Sequence, residues 1–184
     1  ESSRTDNSIK IDSRYEMAKR ALACIGSGIR TIFLGFPDNK LDSLSQLELN
    51  QALEDALQSI RPSVVITHHP SDLNVDHRMT CEAVVTAFRP QPNSVKPDIL
   101  TFEVSSSTDW SCGVAGKPFE PNWFVEISPE QWDRKKLALL EYKEEMRNFP
   151  HSRSLQAIDA LQITRGSSIG VDRAEAFQLL RRVC

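Results

Sequence analysis

Apolar residues recur along the chain in two alternating patterns, which predict helices and strands in turn. Spacing of three and four residues occurs over Met17–Ile25, Leu49–Ile60 and Met79–Phe88, whereas short apolar runs occur over Ile29–Leu34 and Val64–Thr67. Helices that alternate with strands favour a parallel sheet with covering helices. The pattern therefore predicts an α/β fold whose sheet is mostly parallel, with helices on both faces.

Capping motifs predict where the first helices begin. Ser13–Glu16 and Ser45–Glu48 both match a capping box, in which a serine hydroxyl and a glutamate bond the exposed amides of the first turn. The polar stretch Glu1–Ile11 predicts a loop or a frayed end before the first of them. Gly26 and Pro62 are expected to end the two helices.

The second half of the chain is less regular, but it still contains predicted elements. These are strands over Ile99–Val104 and Trp123–Ile127, a long helix from Ser128 to about Arg147, a helix over Ser154–Arg165, and an element of ambiguous type over Ala174–Val183.

Composition limits the class of protein. With 184 residues, 40% apolar and 26% charged, the chain is predicted to form one globular domain over residues 1–184. A net charge of −3 with scattered Lys and Arg argues against a nucleic-acid partner or a basic membrane patch. Without a membrane-length apolar run, a signal segment or a C-x-x-C pair, we expect a cytoplasmic protein with reduced cysteines and no membrane span.

The stretch Thr67–Arg78 concentrates the side chains that suit chemistry. It holds three of the 4 histidines, two aspartates and an asparagine, directly after an apolar run. Ligands bind at the carboxyl ends of strands in open α/β sheets, so these side chains are placed where a metal or substrate site is expected. An ordinary loop whose Asp and Asn cap the next helix is the alternative.

Phe36–Asp42 follows the other apolar run, Ile29–Leu34, and contains Pro-Asp-Asn. These residues are typical of a simple turn between a strand and a helix. A second contribution to the site is the alternative, and both interpretations stay open.

The segments T-H-H-P-S-D-L-N-V-D-H-R, L-G-F-P-D-N-K-L-D, F-P-H-S-R-S and R-G-S-S-I-G-V-D-R-A-E-A-F together resemble the LmbE-like or PIG-L family of zinc-dependent de-N-acetylases. The resemblance extends from Arg14 to Phe177. It implies a Rossmann-like α/β fold. It also implies hydrolysis of the N-acetyl group of an amino sugar, such as an N-acetylglucosamine unit in a lipid, a glycoside or a nucleotide sugar.

The resemblance implies a zinc ion held by two histidines and an aspartate, with His77 as the third ligand. Zinc lowers the pKa of its bound water, which then attacks the acetamide carbonyl. The other two ligands and the general base belong to an A-H-P-D-D-E-like motif that these 184 residues do not contain. We therefore expect the chain to correspond to the C-terminal majority of such an enzyme, without its N-terminal strands and with weak or absent zinc binding and activity.

The resemblance also implies catalytic roles within the loop. Many family members carry His-Pro-Asp-His where this chain has Asn74-Val75-Asp76-His77. The Asn74 amide can donate to an oxyanion but cannot transfer a proton, which leaves His68 or His69 for an acid role. Asp76 is expected to orient a neighbouring histidine or the metal shell.

Four further residues are predicted to contact the substrate. By resemblance, Arg14 and Asp38 match positions near the sugar, and Asp72 belongs to the same loop as His77. Arg165 could meet a substrate anion. The alternatives are a solvated helix end for Arg14, a turn for Asp38, and contact with the last carbonyls of its own helix for Arg165.

Two classes of function follow. The first is a metal-dependent N-deacetylase acting on a small N-acetylated amino sugar. The second is a non-catalytic domain that binds a sugar or a protein partner through a sheet edge left open by missing strands. An open edge also predicts marginal stability and a tendency to form homo-oligomers or aggregates. For either class, His77 should begin a helix just beyond the Val64–Thr67 strand, with Asp38 facing the same crevice.

Overall fold

The computed structural model describes residues 7–114 and 116–183. Its α-helices are α1 (Asn7–Ile25), α2 (Gln46–Leu57), α3 (Val75–Ala87), α4 (Pro129–Leu140) and α5 (Leu155–Ser167), and a short 3-10 helix spans Leu41–Ser43. Its strands are β1 (Val64–His68), β2 (Asp98–Phe102), β3 (Trp123–Glu126) and β4 (Ala174–Arg181). Within these residues, no helix has the length and apolar character needed to cross a membrane.

The strands form one mixed sheet in the order β1-β2-β4-β3. β1 and β2 run parallel, with Val64 opposite Asp98 and His68 opposite Phe102. β4 pairs antiparallel with β2, so the ambiguous segment after Ala174 is a strand. The α/β class predicted from the sequence is confirmed, and β1 lies at an edge of the described sheet.

Contacts divide the chain into two compact units. Among the described residues, one comprises 7–33 and 126–173, and the other comprises 34–114, 116–125 and 174–183. In the first unit, α1 packs against α4, and Arg20 Nε donates to Glu141 Oε2 at 2.7 Å. The prediction of a single domain over residues 1–184 stays a prediction.

The core of the second unit lies on both sides of α3. Ala83 packs with Leu41 and Leu49 on one side, and Val84 packs with Phe88 and Ile99 on the other. Adjacent residues of a helix point in different directions, so α3 is buried on two faces. Burial of these faces fixes the position of the helix that carries His77.

Two predicted boundaries were wrong. α1 begins at Asn7, six residues before the Ser13 capping box, and residues 1–6 lie outside the described part. Extending an existing helix costs less than starting one, so an internal serine need not mark the start. α4 ends at Leu140 instead of Arg147, and turns follow it.

The predicted strand over Ile29–Leu34 was also wrong, because these residues form neither strand nor helix. A strand needs a hydrogen-bonded neighbour, and an apolar run alone does not supply one. Ile29 remains 45% exposed and Ile32 43% exposed, so the segment keeps its apolar side chains in contact with solvent.

Candidate functional site

His77 lies where the sequence predicted, in the first turn of α3 and just beyond the end of β1. β1 ends at His68, and Asn74 then caps α3 by accepting a hydrogen bond from the Asp76 amide at 2.8 Å. An asparagine at this position satisfies one of the amides that a helix start leaves unpaired. The loop between β1 and α3 therefore has a fixed geometry that places His77 at the carboxyl end of a parallel strand.

Asp72 is the centre of the polar contacts in this loop. Its side chain is fully buried, and its carboxylate accepts hydrogen bonds from the Ser107 hydroxyl and from Thr108 Oγ1 at 2.7 Å. The backbone N–H of Asn74 donates to the same carboxylate at 2.8 Å, and His77 Nδ1 lies 3.2 Å from Asp72 Oδ1. Two hydroxyls and one backbone amide thus donate to this buried carboxylate, and His77 Nδ1 is close enough to form an ion pair with it.

The contacts decide the charge of Asp72. Burial by itself raises the pKa of a carboxyl group, but the contacts from His77, from the Ser107 and Thr108 hydroxyls and from the Asn74 amide outweigh it and hold the pKa of Asp72 well below its usual range. Asp72 is therefore a buried anion directly behind His77. Such an arrangement orients an imidazole that uses its other nitrogen to bind a ligand.

His68 and His77 form a stacked pair. Their ring centroids are 4.1 Å apart with an interplanar angle of 17°, and the ring of Phe102 lies 4.9 Å from His68. Burial and the neighbouring His77 lower the pKa of His68 to about 4. His68 is therefore neutral at physiological pH, and its buried Nδ1 has no hydrogen-bond partner among the described residues.

His69 is buried and has both ring nitrogens engaged. Its Nδ1 accepts a hydrogen bond from the Ser71 amide at 3.2 Å, and its Nε2 lies 3.1 Å from Gln178 Oε1. An accepting Nδ1 requires the proton to sit on Nε2 in the neutral ring. These contacts favour a structural role that ties the loop to β4, and the predicted acid role of His69 stays a prediction.

Asp76 connects α3 to the turn that contains Asp38. Its two carboxylate oxygens accept hydrogen bonds from the amides of Asn39 at 2.6 Å and Leu41 at 3.0 Å. Asn39 has a φ of 52°, a left-handed conformation that asparagine tolerates in tight turns. The turn holding the exposed Asp38 therefore lies beside the start of α3, although the strand expected to precede it is absent.

The other predicted substrate contacts lie elsewhere. Arg14 and Arg165 belong to the first unit, where Arg14 Nη2 lies 3.4 Å from Glu145 Oε1. Arg165 is in the last turn of α5, where a basic side chain interacts favourably with the negative end of the helix dipole. Asp72, the fourth predicted contact, has no exposed surface. The predicted substrate roles of these residues stay predictions.

The described residues do not form a complete metal site by themselves. A zinc site in a protein needs three or four convergent ligands. Across residues 7–114 and 116–183, no three His, Cys, Asp or Glu side chains are grouped so as to hold a metal ion. His77 suits a single ligand position, because Asp72 stands behind its Nδ1.

Three contact residues were missed in the sequence. Ser107 and Thr108 lie in the long irregular segment after β2, and Gln178 lies in β4, whose type was ambiguous. They have no motif of their own. Only the parallel pairing of β1 with β2 and the antiparallel pairing of β4 reveal that they meet the loop.

The fold and the loop define an α/β domain with a histidine and aspartate site at the end of a parallel strand. Residues 2–88 match the model of the PIG-L family, described as GlcNAc-PI de-N-acetylase. None of the curated proteins matches the chain. Among solved structures, the conserved protein TT1542 from Thermus thermophilus is similar, with 25% identity and a TM-score of 0.70 over 94% of this chain and 75% of that one.

Two further structures share the fold. N,N'-diacetylchitobiose deacetylase from Pyrococcus horikoshii, complexed with its inhibitor MPG, is 18% identical, with a TM-score of 0.63 over 94% of this chain and 63% of its own. The zinc-inhibited form of teicoplanin deacetylase Orf2 is 15% identical, with a TM-score of 0.63 over 92% of this chain and 74% of its own. The resemblance to the PIG-L family is therefore confirmed over residues 2–88, and the fold is shared with these solved structures over almost the whole chain.

Proposed function

We propose that the chain supplies one side of the active site of a zinc-dependent de-N-acetylase, which hydrolyses the N-acetyl group of an amino sugar. The observation that carries this proposal is the pair of His77 and Asp72. A fully buried carboxylate lies 3.2 Å from Nδ1 of His77, which leaves Nε2 as the ring nitrogen that can bind a ligand. His77 is the residue that the family resemblance implies as a zinc ligand, and the names of the family and of two similar structures support the deacetylase class.

The chain's own residues suggest a division of tasks. Asn74 uses its side-chain oxygen as the cap of α3, which leaves the amide NH₂ group of the same side chain to donate to the acetamide oxygen as negative charge develops there. Asp76 keeps the Asp38 turn beside the helix start, so Asp38 is a proposed contact for sugar hydroxyls. Arg14 and Arg165 remain proposed contacts for other parts of the substrate.

Acetate release tests the reaction and the substrate class together. The chain is joined to an upstream segment of a family member that carries a strand and the His-Pro-Asp-Asp loop, and it is loaded with zinc. We expect this joined protein to release acetate from N-acetylglucosamine or N,N'-diacetylchitobiose and not from an N-acetyl amino acid. A folded, zinc-loaded joined protein that releases acetate from none of the sugars would contradict the proposal.

A non-catalytic interaction domain is the second candidate, and the exposed residues of β1 favour it. β1 lies at an edge of the described sheet, with Val64 47% and Ile66 52% exposed. Apolar side chains and unpaired backbone groups on an edge strand promote pairing with another chain. Sedimentation of the wild type and of Ile66→Lys over a range of concentrations tests this: association that the lysine abolishes supports an interface, and a monomer in both cases opposes it.

A further inference from the structure

Two hydroxyl groups in the loop after β2 converge on Asp72. The Ser107 hydroxyl donates to Oδ1, and the Thr108 hydroxyl donates to Oδ2 at 2.7 Å. Both residues are buried, with 5% and 7% of their surface exposed, so solvent has little access to these bonds. Each oxygen of the carboxylate therefore has its own hydroxyl donor from the same loop.

The backbone of this loop fixes the direction of the hydroxyls. Thr108 Oγ1 accepts a hydrogen bond from the Val104 amide at 2.8 Å, so its single proton is left for Asp72. The Ser107 amide donates to Asp109 Oδ1 at 2.9 Å, and the Ser107 carbonyl accepts from the Leu73 amide at 3.4 Å. Ser107 and Thr108 are thus held in place by hydrogen bonds to Val104, Asp109 and Leu73.

The preceding residue, Ser106, has a φ of 67°. A non-glycine residue in this region is strained, and such strain persists only where the surrounding contacts enforce it. The hydrogen bonds of Ser107 and Thr108 with Asp72 are contacts that can enforce this conformation of Ser106.

We propose that Ser107 and Thr108 are positioning residues for the active site: their hydroxyls hold the Asp72 carboxylate in the one orientation that fixes the proton of His77 on Nδ1. The bare Nε2 of His77 is then available to bind a ligand. The use of that nitrogen in catalysis rests on the proposed function, whereas the position of the proton is a property of this chain alone. Ser107 and Thr108 act through Asp72 and need not touch the substrate.

Removal of the Ser107 and Thr108 hydroxyls should change the position of the proton on the His77 ring and lower the stability of the fold. Without its donors, the buried carboxylate loses the bonds that offset its burial. It then no longer holds the imidazole N–H in a single direction, and the imidazole reverts toward the Nε2–H form that a free histidine side chain prefers. A purely structural role for the two residues would lower stability and leave the proton on Nδ1.

The experiment is nitrogen-15 NMR of the histidine rings in the 184-residue chain at mildly alkaline pH. We expect His77 of the wild type to carry its proton on Nδ1. In Ser107→Ala combined with Thr108→Val, we expect a mixture in which Nε2–H is the major form. Thr108→Ser keeps the hydroxyl and should restore the wild-type spectrum when it replaces Thr108→Val.

Thr80→Val is the matched control. The Thr80 hydroxyl donates to the Asp76 carbonyl at 2.7 Å, and its single proton is therefore not shared with Asp72. This variant also loses a hydroxyl from the half-buried start of α3, and it should leave the proton of His77 on Nδ1. A shift equal to that of the double variant would overturn the proposal.

Further outcomes separate this proposal from the proposed function. A folded double variant that keeps the proton on Nδ1 overturns the positioning role, whether or not the joined protein releases acetate. A proton that moves while the joined protein releases no acetate supports the positioning role and opposes the deacetylase. If the double variant does not fold, Ser107→Ala and Thr108→Val alone decide, since each must then shift the proton in part.

In the active joined protein, loss of both hydroxyls should lower acetate release about 10- to 100-fold, the usual effect of removing a partner behind a metal ligand. Thr108→Ser should recover most of this loss, and Thr80→Val should show none. Equal losses in all three proteins would contradict the role proposed for Ser107 and Thr108.

Discussion

The loop Thr67–Arg78 and the segment Ile29–Leu34 are both short, and both were predicted to matter, but they differ in the partners that their side chains have. In the loop, buried polar groups such as Asp72 and His69 meet donors or acceptors from β4 and from the segment after β2. In the segment, Ile29 and Ile32 are more than two fifths exposed. Partners, and not residue type, decide which stretch forms the structure that its sequence predicts.

The largest effect is expected at Asp72. Asp72→Ala leaves two buried hydroxyls and an imidazole without their acceptor, so we predict a loss of about 3 to 5 kcal/mol in the free energy of unfolding, the usual result of breaking a buried network. Urea unfolding of the wild type, of Asp72→Ala and of the exposed control Asp42→Ala measures it. A loss equal to that of Asp42→Ala would mean that the contacts around Asp72 contribute little.

Asn74 has two proposed tasks, and substitutions can separate them. Asn74→Ala removes both the cap and the amide donor and should cost about 2.7 to 4 kcal/mol in the chemical step of the joined protein. Asn74→Ser keeps a competent cap and should retain stability while activity falls by a similar amount. Full activity in Asn74→Ser, with steady-state kinetics as the measure, would leave Asn74 only its role as a cap.

Cys81 tests the burial of the helix that carries His77. Burial, with a smaller contribution from Glu82, raises the pKa of the Cys81 thiol to about 11. In the unfolded chain the thiol has its usual pKa, so stability is fully present below about pH 9 and is lost as the pH rises toward 11.

The size of this effect follows from the two pKa values. A difference of about two pKa units corresponds to about 2 to 3 kcal/mol across that pH range. Urea unfolding at a series of pH values should show this loss in the wild type and in the exposed control Cys112→Ser, but not in Cys81→Ala. The same pH dependence in Cys81→Ala would place its origin in other groups.

The smallest effect is expected in the exposed segment. Ile32→Ser removes an apolar side chain that is 43% exposed, so the free energy of unfolding should change by no more than about 0.5 kcal/mol. Solubility should rise, because the exposed apolar surface decreases. A loss of several times that size in urea unfolding would show that Ile32 packs against a partner in solution.

The sequence predicted those parts of the fold that depend on local chemistry. The Ser45 capping box, the start of α3 near His77 and the β1 strand follow from neighbouring residues, and all three are present. The predicted strand over Ile29–Leu34 was wrong because an apolar run does not reveal whether another strand lies beside it. The segment Ala174–Val183 was ambiguous for the same reason, since pairing with β2 makes Ala174–Arg181 a strand.

The site was predictable in its location but not in its contacts. The position of His77 follows from the order of strand, loop and helix. The partners of Asp72 lie 35 and 36 residues away along the chain, and no spacing rule connects them. Asp72 was expected among the substrate contacts, and that role stays a prediction; the structure shows its carboxylate next to His77, with no exposed surface.

Acetate release from N,N'-diacetylchitobiose, measured side by side for three zinc-loaded proteins, tests the central claim most directly. These are the 184-residue chain alone, the joined protein, and the joined protein with His77→Ala. We predict acetate from the joined protein only, because His77 supplies one essential side of a site that the described residues do not complete. Turnover by the chain alone would show a complete site within these residues, and undiminished turnover in His77→Ala would contradict the role given to His77.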